Sequence, residues 1–142
     1  MKLSAIVRVL VVLSILVGVA SASASSSEIL KALLDARQGL VTLLDTTDTT
    51  AQGKLEADIK KNSKLVDEGL KAALSDKATP TEELPKYKDL LRVWETFKKT
   101  RDSEIIPAIK AGKVSDAKAL AKGVQAERFA KLKELLGSLG AK

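Results

Sequence analysis

Residues 82–111, EELPKYKDLLRVWETFKKTRDSEIIPAIKA, are the stretch that decides the fold. Their apolar residues recur every three or four positions, which is the spacing of one face of an α-helix. Pro107 lies inside this pattern and has no backbone N–H, so we expect it to bend the helix. The stretch therefore predicts one long amphipathic helix, interrupted near its end, whose apolar face consists of Tyr87, Leu90, Leu91, Trp94, Phe97, Ile105, Ala108 and Ile109.

Three further stretches have the same periodicity and are separated by short turn-forming segments. The predicted helices cover about 27–46, 51–75, 82–111 and 115–139. Ser25 and Glu28 have the spacing of a capping box at the first helix, and Thr81 and Ser115 are the expected N-caps of the last two. Four amphipathic helices with short links predict an all-α fold, an up-down-up-down four-helix bundle.

The first 24 residues are typical of a secretory signal peptide. A positively charged start precedes the apolar run VLVVLSILVGVA at 9–20, and small residues then alternate, with cleavage expected after Ala22 or Ala24. The sequence thus predicts a signal peptide at 1–24, one bundle domain at 25–142, and a periplasmic or secreted location. The alternative is that the N-terminal helix stays uncleaved and anchors the protein in a membrane.

The composition excludes most enzyme chemistry. The 142 residues contain no His and no Cys, and the single Met is Met1. The usual general base, thiolate nucleophile, disulfide and zinc-thiolate site are therefore missing. We expect a protein that is not an enzyme, with no catalytic residue, no metal site and no cofactor.

The charge of the chain does not indicate a nucleic-acid partner. Lys and Arg number 24 against 18 Asp and Glu, which gives a net charge of +6. Basic and acidic residues alternate along most segments, and four aromatic residues are too few for a base-stacking surface. We expect no nucleic acid among the partners.

The third and fourth predicted helices contain a recognisable succession of residues. Trp94-x-x-Phe97-x-x-x-Arg101-Asp102-x-x-Ile105-Ile106-Pro107-Ala108 is followed by Ala111-Gly112-Lys113-x-x-Asp116-Ala117 and by Gly123-Val124-Gln125-x-x-Arg128. This succession resembles the extracytoplasmic four-helix-bundle sensor module of methyl-accepting chemotaxis proteins, best over 83–139. The resemblance implies a periplasmic ligand-sensing bundle, often dimeric, that passes signals through flanking membrane helices.

The sequence after Leu139 departs from that pattern. Only Gly140, Ala141 and Lys142 follow, without a second membrane helix or a signalling domain. We therefore expect a standalone module that acts as a binding protein or as the partner of an envelope receptor.

A second, weaker resemblance concerns residues 108–128, AIKAGKVSDAKALAKGVQAER. They are also similar to the cytochrome b562 family, which binds haem between a Met of its first helix and a His near the end of its fourth. Here Leu132 lies near the His position, and the first helix has no Met. This resemblance implies a related bundle without haem ligands.

Each predicted helix has one polar residue where its apolar face predicts an apolar one: Arg37, Asn62, Arg101 and Arg128. In an antiparallel bundle these four positions lie within about 5 Å of each other along the axis, at ~1.5 Å per residue. Three interpretations remain open. The arginines extend to water and pair with neighbouring carboxylates, or some of them bind a carboxylate or phosphate, or the layer fixes helix register or a dimer interface. These four residues are the candidate ligand-binding set.

Three glycines, Gly39, Gly69 and Gly123, fall inside predicted helices. Each costs about 1 kcal/mol relative to Ala, so we expect close helix approach as the compensating gain.

Two functions remain open from the sequence. The first is an exported, sensor-like, non-enzymatic module that binds a small anionic ligand or a receptor protein and forms a homodimer. The second is a structural or interaction protein of the cell envelope with no small-molecule ligand.

Overall fold

The structure of the protein is a computed structural model that describes residues 24–142. The predicted signal peptide, apart from its last residue, lies outside the described residues. The helices are α1 (Ser26–Asp45), α2 (Thr49–Ser75), α3 (Leu84–Thr100), a π-helical turn (Arg101–Ile105), α4 (Ile106–Lys110), α5 (Val114–Lys122) and α6 (Val124–Ser138). Helix α3, the π turn and α4 together form the third bundle helix, and α5 and α6 form the fourth.

The helices are arranged as an antiparallel square. α1 packs against α2, α2 against α3, and α3 against α6, and the fourth bundle helix closes the square against α1. At one end Ser26 Oγ donates to the carbonyl of Leu139 at 3.1 Å. At the other end Lys118 pairs with Asp45 at 2.6 Å and lowers the pKa of that carboxyl. The predicted all-α four-helix bundle is confirmed.

Two apolar clusters form the core, one above the other along the bundle axis. The first surrounds Trp94 and Phe97, whose rings stack with centroids 5.7 Å apart. The second surrounds Leu40 and Ile105. In the described chain the buried polar residues Ser63, Thr100, Arg101 and Gln125 lie between these clusters in sequence. A polar layer therefore divides the core at the height that the sequence indicates.

The helix ends follow the predicted capping chemistry only at α1. Ser25 Oγ accepts from the N–H of Glu28 at 3.2 Å, and the Glu28 carboxylate accepts from the N–H of Ser25 at 2.6 Å. Thr81 and Ser115 are not caps, because α3 begins after Glu83 and α5 begins after Lys113, both without a side-chain cap. Pro85 lies in the first turn of α3, where a backbone N–H would have no partner within the helix, so its missing N–H costs no hydrogen bond.

The interruption at Pro107 takes the form of a π turn rather than a simple bend. The N–H of Ile106 donates to the carbonyl of Arg101, which is the i→i+5 pattern. The wider turn precedes Pro107 and gives its ring room where it would otherwise meet the preceding turn. It also keeps residues spaced four apart on one face, so that Phe97, Arg101, Ile105 and Ile109 are all buried.

The fourth predicted helix, 115–139, is two helices in the structure. Gly123 leaves the helical region with φ −88° and ψ −113°, and its N–H ends α5 on the carbonyl of Ala119. A Cβ at this position would lie 3.1 Å from that carbonyl oxygen. Gly123 therefore marks a break, and the expectation that it lies inside one helix is wrong.

The other two glycines allow α1 and α2 to pack closely, as expected. A Cβ on Gly69 would lie 2.6 Å from Ile29 Cγ1, and one on Gly39 would lie 2.8 Å from Ile59 Cγ1. Across residues 24–142, no helix combines the length and apolarity needed to cross a membrane.

Candidate functional site

Arg101 is a buried cation at the π turn, and three of its nitrogens are engaged. Its side chain is 3% exposed. Nε and Nη2 donate to the two oxygens of Asp102 at 2.6 and 3.1 Å, and Nη1 donates to Ser63 Oγ at 2.8 Å. The guanidinium carbon lies 5.8 Å from the centroid of the Trp94 ring. The arginine is thus held between α2 and the third bundle helix.

Arg128 lies at a different seam, between the third and fourth bundle helices. Its Nη1 donates to Thr100 Oγ1 at 2.8 Å and to Gln125 Oε1 at 3.0 Å. Gln125 is fully buried, and its Nε2 donates to the carbonyl of Phe97 at 2.9 Å. Amide and hydroxyl groups, rather than a carboxylate, hold this arginine.

Arg37 lies at a third seam, between α1 and the fourth bundle helix. Its Nη2 donates to the carbonyl of Ala121 at 3.1 Å, and its guanidinium lies 5.7 Å from the centroid of the Phe129 ring. Its Nη1 is buried and has no hydrogen-bond partner within the described residues. Burial lowers the pKa of Arg37 because it disfavours the charged form.

Asn62 does not occupy the inward position of α2. Its Nδ2 donates to the carbonyl of Asp58 in its own helix at 3.1 Å. The neighbouring Ser63 is buried instead and contacts Arg101. The four predicted residues therefore share one level of the bundle, but the three arginines serve three different seams and do not converge on one point.

The seam at Arg101 opens into a groove. The groove runs between α2 and the third bundle helix, and its volume of about 1260 Å³ is ample for a small molecule, since ligand sites usually measure ~300–1,000 Å³. Its lining includes Ile59, Ser63, Asp67, Lys98, Arg101, Asp102, Ile106 and Pro107. A smaller recess, which shares Asp67 and Lys98, continues it along the same seam.

The groove has an excess of positive charge. Six cationic and three acidic side chains line it. Each acid already has a basic partner: Glu56 pairs with Lys110, Asp67 with Lys98, and Asp102 with Arg101. Lys60 and Lys61 also line the groove, are exposed, and have no ion pair within residues 24–142. The arrangement can attract and hold an anion.

Trp94 connects this groove to the core. The ring is fully buried, and its Nε1 donates to Asp67 Oδ1 at 2.7 Å. Lys98 Nζ donates to the same oxygen and lies 5.6 Å from the centroid of the Trp94 ring. Trp94 is the only Trp of the chain, so its fluorescence reports on this one location.

Sequence reasoning missed three members of the polar layer, Ser63, Thr100 and Gln125. Position 63 is four from Ile59 and three from Val66, which fits the apolar face as well as position 62 does. Gln125 lies four residues after Ala121 and seven before Leu132. Ser63 and Gln125 are both polar residues at the spacing of the apolar face. Larger or more highly charged neighbours, such as Asn62 and Arg128, were chosen instead.

The comparison with protein families finds a matching family. A family model described as a four-helix-bundle sensory module for signal transduction matches residues 24–141. The chain belongs to this family. The match covers the whole described bundle except its last residue, and so extends further than 83–139. The resemblance to the sensor module of chemotaxis proteins is confirmed.

The remaining comparisons add no relative of this sensory module. A search of curated proteins gives no significant match, and a search of solved structures gives none either. The similarity to cytochrome b562 is not supported by the family comparison. Leu132, where that similarity would place the haem-ligating His, is buried in the cluster around Trp94. Within the described residues no group of three or more side chains could hold a metal ion.

Proposed function

We propose that this sensory module is exported, acts without catalysis, and binds a small anion in the groove between α2 and the third bundle helix. One observation carries the proposal: a buried arginine lines a groove that has three more cationic than acidic side chains. An arginine fork of this kind is well suited to carboxylate or phosphate. The exported location follows from the predicted signal peptide.

The exposed lysines of the groove provide a test that spares the fold. Lys60 and Lys64 line the groove on α2 and are exposed, so Lys60→Gln/Lys64→Gln should leave the core intact. Lys54→Gln/Lys88→Gln removes the same charge at exposed positions outside the groove lining. Protein expressed from the full chain would be screened against carboxylates, phosphate and sulfate at constant ionic strength.

A bound anion should raise the melting temperature and change Trp94 fluorescence, since a ligand of the native state stabilises it. We expect Lys60→Gln/Lys64→Gln to weaken binding about three- to tenfold and the control pair to weaken it less than twofold. Equal weakening by both pairs would show a general effect of net charge and would contradict a site in this groove.

A second candidate function is an interaction protein of the envelope without a small-molecule ligand. Leu34 and Val41 favour it, because they are 42% and 37% exposed and lie seven residues apart on one side of α1. A screen in which no anion changes the melting temperature or Trp94 fluorescence would favour this function. Light scattering on the same sample would test the proposed homodimer.

A further inference from the structure

The two partners of the Arg101–Asp102 pair differ sharply in their surroundings. Arg101 is 3% exposed and is fixed by Ser63, whose hydroxyl in turn donates to the carbonyl of Ile59 at 2.7 Å. The side chain of Asp102 is 55% exposed and lies at the groove. The cation thus belongs to the core, whereas its carboxylate reaches it from the solvent side.

The Asp102 carboxylate binds the guanidinium group of Arg101 as the carboxylate of a ligand would. Its two oxygens accept from Nε and Nη2, the two-pronged geometry by which guanidinium groups bind free carboxylates. An incoming carboxylate can take these two donors only if Asp102 leaves them. Exchange of one carboxylate for another keeps the buried cation paired, so it avoids the penalty of an unpaired buried charge.

The wall beside this pair is apolar. Ile59, Ile106, Pro107 and Ala111 line the groove next to Arg101 and Asp102. Ile106 and Pro107 begin α4, directly after the π turn that contains Arg101 and Asp102, so these apolar side chains and the ion pair line the same groove. Inorganic anions can use the charge of the groove but gain nothing from this wall.

We propose that the groove takes an organic carboxylate with an apolar body, and that its carboxylate displaces Asp102 from Arg101 while its body packs on Ile106 and Pro107. This inference rests on the proposed anion-binding function and specifies its ligand class. Asp102 is then an internal competitor that sets the affinity and the specificity of the site.

The exchange is tested by removing the competitor. Asp102→Asn loses the charge that holds the arginine fork, and we expect it to bind hexanoate about tenfold more tightly than the unmodified protein in calorimetric titration. Glu104→Gln is the matched control, since Glu104 is an exposed acid of the same π turn that does not line the groove. The control should change affinity less than twofold.

The apolar wall is tested first on the unmodified protein, so that the result does not depend on the folding of a variant. Affinity should rise from acetate to butyrate to hexanoate by about fourfold for each methylene that becomes buried. Sulfate should bind more weakly than hexanoate. Ile106→Ala should flatten the dependence on chain length.

The outcomes separate this inference from the function on which it rests. Binding that depends on Lys60 and Lys64 but is equal in Asp102→Asn and Glu104→Gln would overturn the exchange and leave the anion site standing. Sulfate binding as tightly as hexanoate would overturn the ligand class. Absence of binding by any anion, in the unmodified protein and in Asp102→Asn, would overturn the proposed function itself.

Discussion

Gln125 joins the fourth bundle helix to α3 through a single buried amide. Its Nε2 donates to the carbonyl of Phe97, and its Oε1 accepts from Arg128. Gln125 itself is fully buried and its bond to Phe97 is buried, so water does not readily replace the amide there. The residue therefore stabilises the polar layer from the side opposite the groove.

Gln125→Leu should lower the free energy of unfolding by about 1–3 kcal/mol, because it keeps the volume but leaves Arg128 without one acceptor. Urea denaturation followed by circular dichroism would measure it. Gln38→Leu is the control, since Gln38 is exposed and its side-chain amide donates to Thr42 of its own helix; its effect should stay within about 0.5 kcal/mol. Equal effects at both positions would contradict the role of the buried amide.

Tyr87 gives a prediction for alkaline pH. Burial, with the nearby charge of Glu83 second, raises the pKa of Tyr87 above its ordinary value of about 10. The folded state thus favours the neutral phenol of Tyr87. The contribution of Tyr87 to stability is therefore complete below pH ~10 and is lost as the pH rises through the folded pKa. Tyr87 is the only Tyr, so phenolate absorbance reports its pKa directly.

We expect the absorbance midpoint above pH ~10 in the folded protein and a shift down to that value in denaturant. Tyr87→Phe should lose less stability above pH ~10 than the unmodified protein does. A midpoint unchanged by denaturant would contradict the environment described for this side chain.

At the scale of elements, α2 contains two glycines in opposite environments. A Cβ on Gly69 would meet Ile29 at 2.6 Å, whereas one on Gly53 would meet nothing within 4 Å. Gly53 costs helix stability without a packing gain, while Gly69 allows α1 to approach.

Gly53→Ala should therefore raise the free energy of unfolding by about 0.5–1 kcal/mol. Gly69→Ala gains the same helix preference but overpacks the α1–α2 interface, at a cost of about 1–3 kcal/mol. We expect Gly69→Ala to be the less stable variant by at least about 1 kcal/mol in thermal or urea denaturation. Two equally stabilised variants would show that α1 and α2 are not in close contact at Gly69.

Sequence periodicity predicts some features of these helices and not others. It identifies four helices because their apolar faces repeat over many turns, and Pro107 indicates an interruption in the third. It does not indicate a π turn, because the form of the interruption depends on keeping Ile105 and Ile109 in the core. Gly123 alone does not predict a break, since a glycine inside a helix costs only ~1 kcal/mol.

The sequence predicts the height of the candidate residues along the bundle axis, but not the seam into which each side chain extends. Helical spacing placed a polar residue of each helix at one height, yet neighbouring positions differ by about 100° around the axis, so Asn62 and Ser63 could not be distinguished. The seam that each long arginine side chain enters depends on its rotamer and on the helices beside it. Arg37, Arg101 and Arg128 consequently share a layer without sharing a site.

At the scale of the whole molecule, the family assigns a sensory role to the bundle, and export remains a proposal from the N-terminal segment. Mass spectrometry of the exported protein should find an N-terminus directly after Ala22 or Ala24. Ser25 and Glu28 form the capping box of α1, so either cleavage leaves that cap complete. An intact N-terminus in the membrane fraction would instead support the uncleaved anchor.

Above all, we infer that an anion binds between α2 and the third bundle helix, at Arg101. Mapping hexanoate-induced amide chemical-shift changes by NMR in the full-chain expression product locates the ligand directly. We expect changes concentrated at those residues of 59–64 and 98–107 that line the groove. Changes centred on Arg37 and Arg128, or no changes with any of the carboxylates, phosphate or sulfate, would contradict it.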